Sequence, residues 1–224
     1  MLRGRGRLPL LAEIAGPAEG SRGWGLTGRD FEALGAVLPQ LAEHRVTAVA
    51  GEGEEPLVAA IALASAAAAV GRRTILVECD LARPRLAPHV GLGPAPGLHE
   101  YLRWEAEPAD VVQPVALAGP ASADTGGQLI CVSGGRPAIK PETLLGLQSF
   151  AHVVEKLRAG YELVLLVAPP VLGEPVAARA AVSQADAVVA GVSADQAEGR
   201  AGGDVRAAIR RLPAPALGAI TVGT

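Results

Sequence analysis

The chain has 224 residues, half of them hydrophobic but only 3% aromatic, with a formal net charge of −3 and a pI near 5.8. That length suits one generous domain or two small ones, and a core built from Ala, Val, Leu and Ile suits helices packed closely on a parallel sheet. The mild acidity excludes a general affinity for nucleic acid. The longest uncharged apolar run, Leu57 to Val70, has the length of a buried helix rather than of a membrane span.

The chain opens MLRGRGRLPLLAEI, with Arg3, Arg5 and Arg7 ahead of an apolar stretch. Pro9 breaks that stretch and Glu13 stops it, so it is too short for a signal core, and a cytoplasmic protein is expected. The three arginines read as a solvated tail; contact with an anionic membrane surface is the weaker alternative. Leu8 to Ile14 suits a short edge segment, and the Gly-, Ser- and Pro-rich stretch Gly16–Gly28 a loop, with Trp24 packed on the body. Thr27 is placed to cap a helix with Asp30 in its third position. Phe31, Leu34, Leu38 and Leu41 fall on one face of that helix, and Pro39 kinks or shortens it.

A strand-then-helix rhythm follows. Strands are expected at 45–50, 74–79, 129–132, 163–167, 187–192 and 216–222, each short, apolar and partly β-branched. Helices are expected at 56–70, 98–104, 141–159, 175–184 and 203–212. Pro56 and Pro141 sit at first helical positions and Gly71 and Gly160 just past helix ends. The alternation predicts a doubly wound, mostly parallel α/β sheet with helices on both faces. Residues 1–44 form an arm, loop and helix packed on one globular unit, 45–224. Ligands of such sheets bind beyond the carboxyl ends of the strands, where Gly51–Pro56, Glu78–Arg85 and Val167–Leu172 all fall.

Val46 to Val70 has the strand, Gly-rich turn and helix layout of a phosphate-binding loop, G-x-x-x-x-G-K-[ST]. Glu54 stands where the Lys would meet phosphates, and Glu55, then Pro56, where a hydroxyl would hold magnesium. Cys79 and Cys131 lie in apolar runs and read as buried thiols. The four histidines, His44, His89, His99 and His152, lack metal-ligand spacing.

Four passages together resemble a known family: VTAVAGEGEE (46–55), ILVECDLARPRL (75–86), KPETLLGLQSF with its helix (140–158) and YELVLLVAPPVL (161–172). They resemble the bacterial tyrosine kinases of capsule and exopolysaccharide synthesis, within the wider group of MinD- and ParA-like P-loop ATPases. The resemblance covers the chain from Arg45 on and extends to LPLLAEI. It implies a P-loop fold, Mg-ATP as cofactor, and a membrane-embedded chain-length regulator or an active kinase paralogue as partner.

The family's first loop ends G-E-G-K-S-T. Gly51, Glu52 and Gly53 match it, and Glu54, Glu55 and Pro56 replace the rest; the run from Val46 to Gly51 is about one residue shorter than in the family. Of the family's D-x-D, Glu78 takes the first place and Asp80 the second. Ala82 replaces an expected Arg, while Arg83, Pro84 and Arg85 fit. Val167 replaces the Asp that ends the third strand and helps to position magnesium and water. The family's C-terminal tyrosine cluster has no counterpart, Tyr101 and Tyr161 being the only tyrosines. Its ring-forming E-x-x-R-x-x-R motif appears as Arg29, Glu32 and Gly35, with charges reversed or absent.

Phosphoryl transfer on such a scaffold is mostly positioning and charge neutralisation. Exchanging Lys for Glu turns an attraction into a repulsion of about 4 kcal/mol for unit charges at about 4 Å and an effective dielectric of about 20. With Glu55 and Val167 also unable to serve magnesium, the expectation is a catalytically degenerate member with no catalytic residue, no bound metal and no required nucleotide. Its role would be regulatory or scaffolding. If nucleotide does bind, Gly51–Glu55 and Arg83 are the candidate contacts.

Three readings of the glutamates stay open. Glu54 and Glu55 can cap their own helix in place of phosphate; Glu52, Glu54 and Glu55 can accept a partner's Arg or Lys; or a divalent cation can sit with Asp80 and Glu78. Asp80 can instead bond nearby backbone N–H groups in a turn, with Arg83 and Arg85 pairing with Asp80 or the glutamates. Two rivals remain: an ATPase or kinase active through Asp80, Glu78 and a distant Lys140 or Lys156, and a MinD- or ParA-like positioning protein.

Overall fold

A computed structural model of the chain describes residues 8–16, 26–116, 128–198 and 202–223. Trp24 and Arg3, Arg5 and Arg7 lie outside the described residues. The elements, in order, are β1 (Leu10–Ile14), α1 (Gly28–Gly35), a 3-10 helix (Leu38–Leu41), β2 (Val46–Ala50), α2 (Glu55–Ala69), β3 (Thr74–Glu78), α3 (Leu86–Val90), α4 (Leu98–Leu102) and α5 (Pro108–Val111). They continue as β4 (Gln113–Ala116), β5 (Gln128–Val132), α6 (Pro141–Leu145), α7 (Gln148–Gly160), β6 (Leu163–Val167), α8 (Pro175–Val182), β7 (Ala187–Ser193), α9 (Ala194–Glu198), α10 (Gly202–Arg210) and β8 (Ala216–Val222).

The eight strands form one sheet in the order β1-β8-β7-β2-β6-β3-β5-β4. All neighbours are parallel except β4, which runs antiparallel to β5 at one edge. Strands β2, β3 and β6 are buried along their whole length, which is why they read as largely apolar runs. One face is covered by α1 and α2, the other by α6, α7, α8 and α10, giving two apolar layers. Ala accounts for much of α2, so the helix lies close on the sheet and is buried from Pro56 to Ala68. The thiols fall on opposite faces: Cys79 packs in one layer and Cys131 in the other, both free and buried.

The Thr27 cap forms as a reciprocal box with Asp30, and α1 stops at Gly35 before Pro39 opens the 3-10 turn. Three local expectations need correction. The helix expected at 141–159 is two helices, α6 and α7, broken at Gly146 and Leu147, where Leu147 is extended. Five residues of one helix would set Leu145 and Phe150 about 140° apart. The break lets both enter the core, where each is at most 1% exposed. Gly160 is the last residue of α7 and not a left-handed cap, whereas Gly71 does take φ +82° after α2. Pro56 is the second residue of α2, behind Glu55. Sequence patterning also passed over α3, α5, α9 and β4, all five residues or fewer, too short to show a period.

Candidate functional site: the carboxyl edge of the central strands

The loops that leave β2, β3 and β6 converge at one edge because their strands are neighbours: Val49 pairs with Val167, and Glu78 also pairs with Val167. After β2 the chain turns through Gly51–Glu54 into α2. Gly51 is wedged against the Gly191 carbonyl and the Pro56 ring, and a Cβ on Gly191 would stand 2.5 Å from Pro56 Cα. Gly53 takes φ +76°, which an L side chain rarely adopts. Glu54 is the N-cap of α2 but makes no capping hydrogen bond through its side chain. The self-capping reading of Glu54 therefore fails. The Glu55 carboxylate folds back over Gly53.

The loop after β3 is held by two carboxylates with different surroundings. Glu78, 1% exposed, accepts backbone N–H groups from Arg85 (2.5 Å), Leu86 (2.8 Å) and Gly134 (2.8 Å). Burial pushes its carboxyl above the ordinary range, and the nearby Asp80 charge adds to that, against the pull of the three N–H groups. Asp80, 2% exposed, accepts the Arg83 N–H through Oδ1 at 3.2 Å, the turn its sequence position suggests. Its Oδ2 is buried without a hydrogen-bond partner. Burial raises the Asp80 carboxyl as well, opposed by the Arg83 N–H and by the charges of Arg85 and Arg83.

Arg85 ties this loop to the first. Its Nη2 donates to the Gly53 carbonyl at 2.9 Å and lies 3.9 Å from Asp80 Oδ2, while its Nη1 lies 3.9 Å from Glu54 Oε1. The guanidinium thus stands between the acidic first loop and the buried Asp80. The pairing of Arg85 with Asp80 and the glutamates was one of the open readings, and it is the one the side chains adopt. Arg83 contributes its backbone to Asp80, and its guanidinium lies beside Gly173.

The third loop is closed onto the first. The Val171 N–H donates to the Gly51 carbonyl at 3.1 Å, and the Glu52 carboxylate accepts from the Leu172 N–H and, at 3.4 Å, from the Gly173 N–H. Val167 is 4% exposed and its carbonyl accepts the Cys79 N–H, so it serves as strand end and core. Sequence reading did not find Gly134 and Gly191, which let these loops approach; isolated glycines after or within strands were the available signal.

The first loop differs from what the resemblance implies for Mg-ATP: Glu54 sets a negative charge where the family's motif has Lys, and Pro56 leaves the first turn of α2 without one N–H. Glu52 and Arg85 spend their polar groups on the neighbouring loops. Among the described residues no group of three or more His, Cys, Asp or Glu is arranged to hold a metal ion.

Comparison with solved structures gives the fold, at two levels. The architecture is that of the P-loop ATPases: the septum site-determining protein MinD from Pyrococcus horikoshii OT3, complexed with Mg-ADP, superposes with a TM-score of 0.59 at 17% identity, over 79% of this chain and 69% of that one. Within it, the fold is that of the bacterial tyrosine kinase domains. The kinase domain of Escherichia coli tyrosine kinase ETK matches with a TM-score of 0.78 at 18% identity, covering 97% of this chain and 91% of its own. The chimerical protein CapA2B2 matches with a TM-score of 0.80 at 18% identity, covering 97% and 95%. No protein-family model matches the chain, and no curated protein does. Among the described residues no helix is long and apolar enough to cross a membrane.

Proposed function

We propose that the chain is a catalytically degenerate tyrosine-kinase-like protein with a regulatory or scaffolding role in the assembly or export of a cell-surface polysaccharide. Its partners would be a membrane-embedded chain-length regulator or an active kinase paralogue, with the protein cytoplasmic and held at the membrane through that partner. The observation that carries this reading is Arg85, whose guanidinium joins Gly53 and Asp80 across the loops at which the resemblance implies a nucleotide. The polysaccharide context and the partners rest on the resemblance of the four sequence passages and on the shared fold.

Calorimetric titration with ATP, with and without magnesium, tests the first half. No saturable heat up to millimolar nucleotide is expected, and micromolar, magnesium-dependent binding would overturn it. The second half is tested by adding the chain to a purified active kinase paralogue and following autophosphorylation. A concentration-dependent change in rate is expected; an unchanged rate with no complex on size-exclusion chromatography would remove the regulatory role.

A further inference from the structure

Three oxygens at the junction of the first two loops face one side chain. Arg85 Nη2 lies 2.9 Å from the Gly53 carbonyl and 3.9 Å from Asp80 Oδ2, and Nη1 lies 3.9 Å from Glu54 Oε1. Two carboxylates and a backbone carbonyl make an all-oxygen donor set of the kind hard divalent cations take. Glu78 stands apart from it. Its Oε1 accepts the Arg85 and Leu86 N–H groups and its Oε2 the Gly134 N–H, so both oxygens are engaged elsewhere.

An exposed glutamate such as Glu54 is by itself an ordinary solvated charge. Asp80 is different. It is 2% exposed, and its Oδ2 is buried without a hydrogen-bond partner, turned to the same guanidinium that Glu54 faces. Burial above all raises its carboxyl, and the charge of Glu174 adds to that. A buried carboxylate oxygen of this kind needs positive charge at the place it faces. Arg85 brings that charge from a fixed point: its own N–H is held by Glu78, and its side chain is only 33% exposed, so most of the arm lies inside the junction.

We infer that the Arg85 guanidinium is a built-in substitute for a divalent cation: it fills the seat formed by Asp80 Oδ2, Glu54 Oε1 and the Gly53 carbonyl, and so ties the first two loops together without metal. A guanidinium keeps its charge at any physiological pH and cannot diffuse away, so the seat stays filled whatever the supply of ions. The same guanidinium keeps a divalent ion out, by its volume and by its charge. The inference deepens the proposed loss of catalysis and rests on it, but the two fail separately: ATP titration of the native chain reads the one, and metal titration without nucleotide reads the other.

The test is titration of the full chain with Mn²⁺, read by loss of the free-ion electron paramagnetic resonance signal. The native chain and Arg85→Lys, which keeps the charge, should bind weakly and alike. Arg85→Ala should bind about tenfold tighter or more, at one ion per chain, and Mn²⁺ should raise its melting temperature but not that of the native chain. Asp80→Asn added to Arg85→Ala should abolish the gain. Native binding as tight as that of Arg85→Ala overturns the proposal, as does a folded Arg85→Ala without the gain, or a gain that survives Asp80→Asn. If Arg85→Ala fails to fold, Asp80→Asn in the same chain should restore folding by removing the uncompensated charge. A double variant that stays unfolded also overturns it.

Discussion

Glu78 and Glu54 both stand at the carboxyl edge, on loops that touch, and they have opposite lives. Glu78 is buried and saturated by three N–H groups from two segments, so it fixes where the loops after β3 and β5 run. Glu54 is exposed, caps nothing through its side chain and reaches Arg85 only at 3.9 Å. A carboxylate that builds the frame is recognised by the donors it has gathered. One that has gathered no donors keeps its charge loose at the surface.

Removal of each acid in turn should break or sharpen this contrast. The largest effect is expected from Glu78→Ala, which strands three backbone N–H groups and should cost about 3 kcal/mol or more in urea unfolding. Next comes Gly191→Ala, whose new methyl meets the Pro56 backbone; overpacking there should cost about 2 kcal/mol by the same measurement. Asp80→Asn should move the other way. It keeps an acceptor for the Arg83 N–H and removes a buried charge with a partnerless oxygen, so it should raise the melting temperature by a few degrees, about 1 kcal/mol, at neutral pH.

The Asp80 gain should depend on pH in a fixed sense. The folded-state value lies above the unfolded one, so the native chain holds the proton more tightly, and wild-type stability falls as pH rises from the unfolded towards the folded value. The advantage of Asp80→Asn should therefore grow through that window and fade below the ordinary Asp value. Thermal melts across a pH series read it. Smallest of all, Glu54→Ala should shift stability by less than about 0.5 kcal/mol, as expected of an exposed pair. A loss comparable to that of Glu78→Ala would erase the distinction between the two acids.

The sheet was legible because β2, β3 and β6 are short, largely apolar runs separated by Ala-rich or amphipathic ones, which fixes both the alternation and the binding edge. The Thr27 box and the Asp80 turn were legible because each is a local pattern of a few residues. The split of α6 from α7 was not, since it is decided by where Leu145 and Phe150 must be buried. Nor was the full role of Glu100: its carboxylate accepts the Gly97 N–H in a local cap of α4, but Arg136 meets it only through the fold. At the first loop the charge reversal was evident in sequence. The position of Arg85 between Gly53 and Asp80 was one of several pairings the residue types allowed, and geometry alone selects it.

The two cysteines turn the sheet into an instrument for watching its own opening. Burial holds the Cys131 thiol up at about 12 and the Cys79 thiol higher still, so neither ionises, or reacts with an alkylating reagent, while its layer is closed. Because they report from opposite sides of the sheet, paired single-cysteine variants would time the detachment of each helical layer separately. Equal labelling rates would mean that the two layers come apart as one cooperative unit.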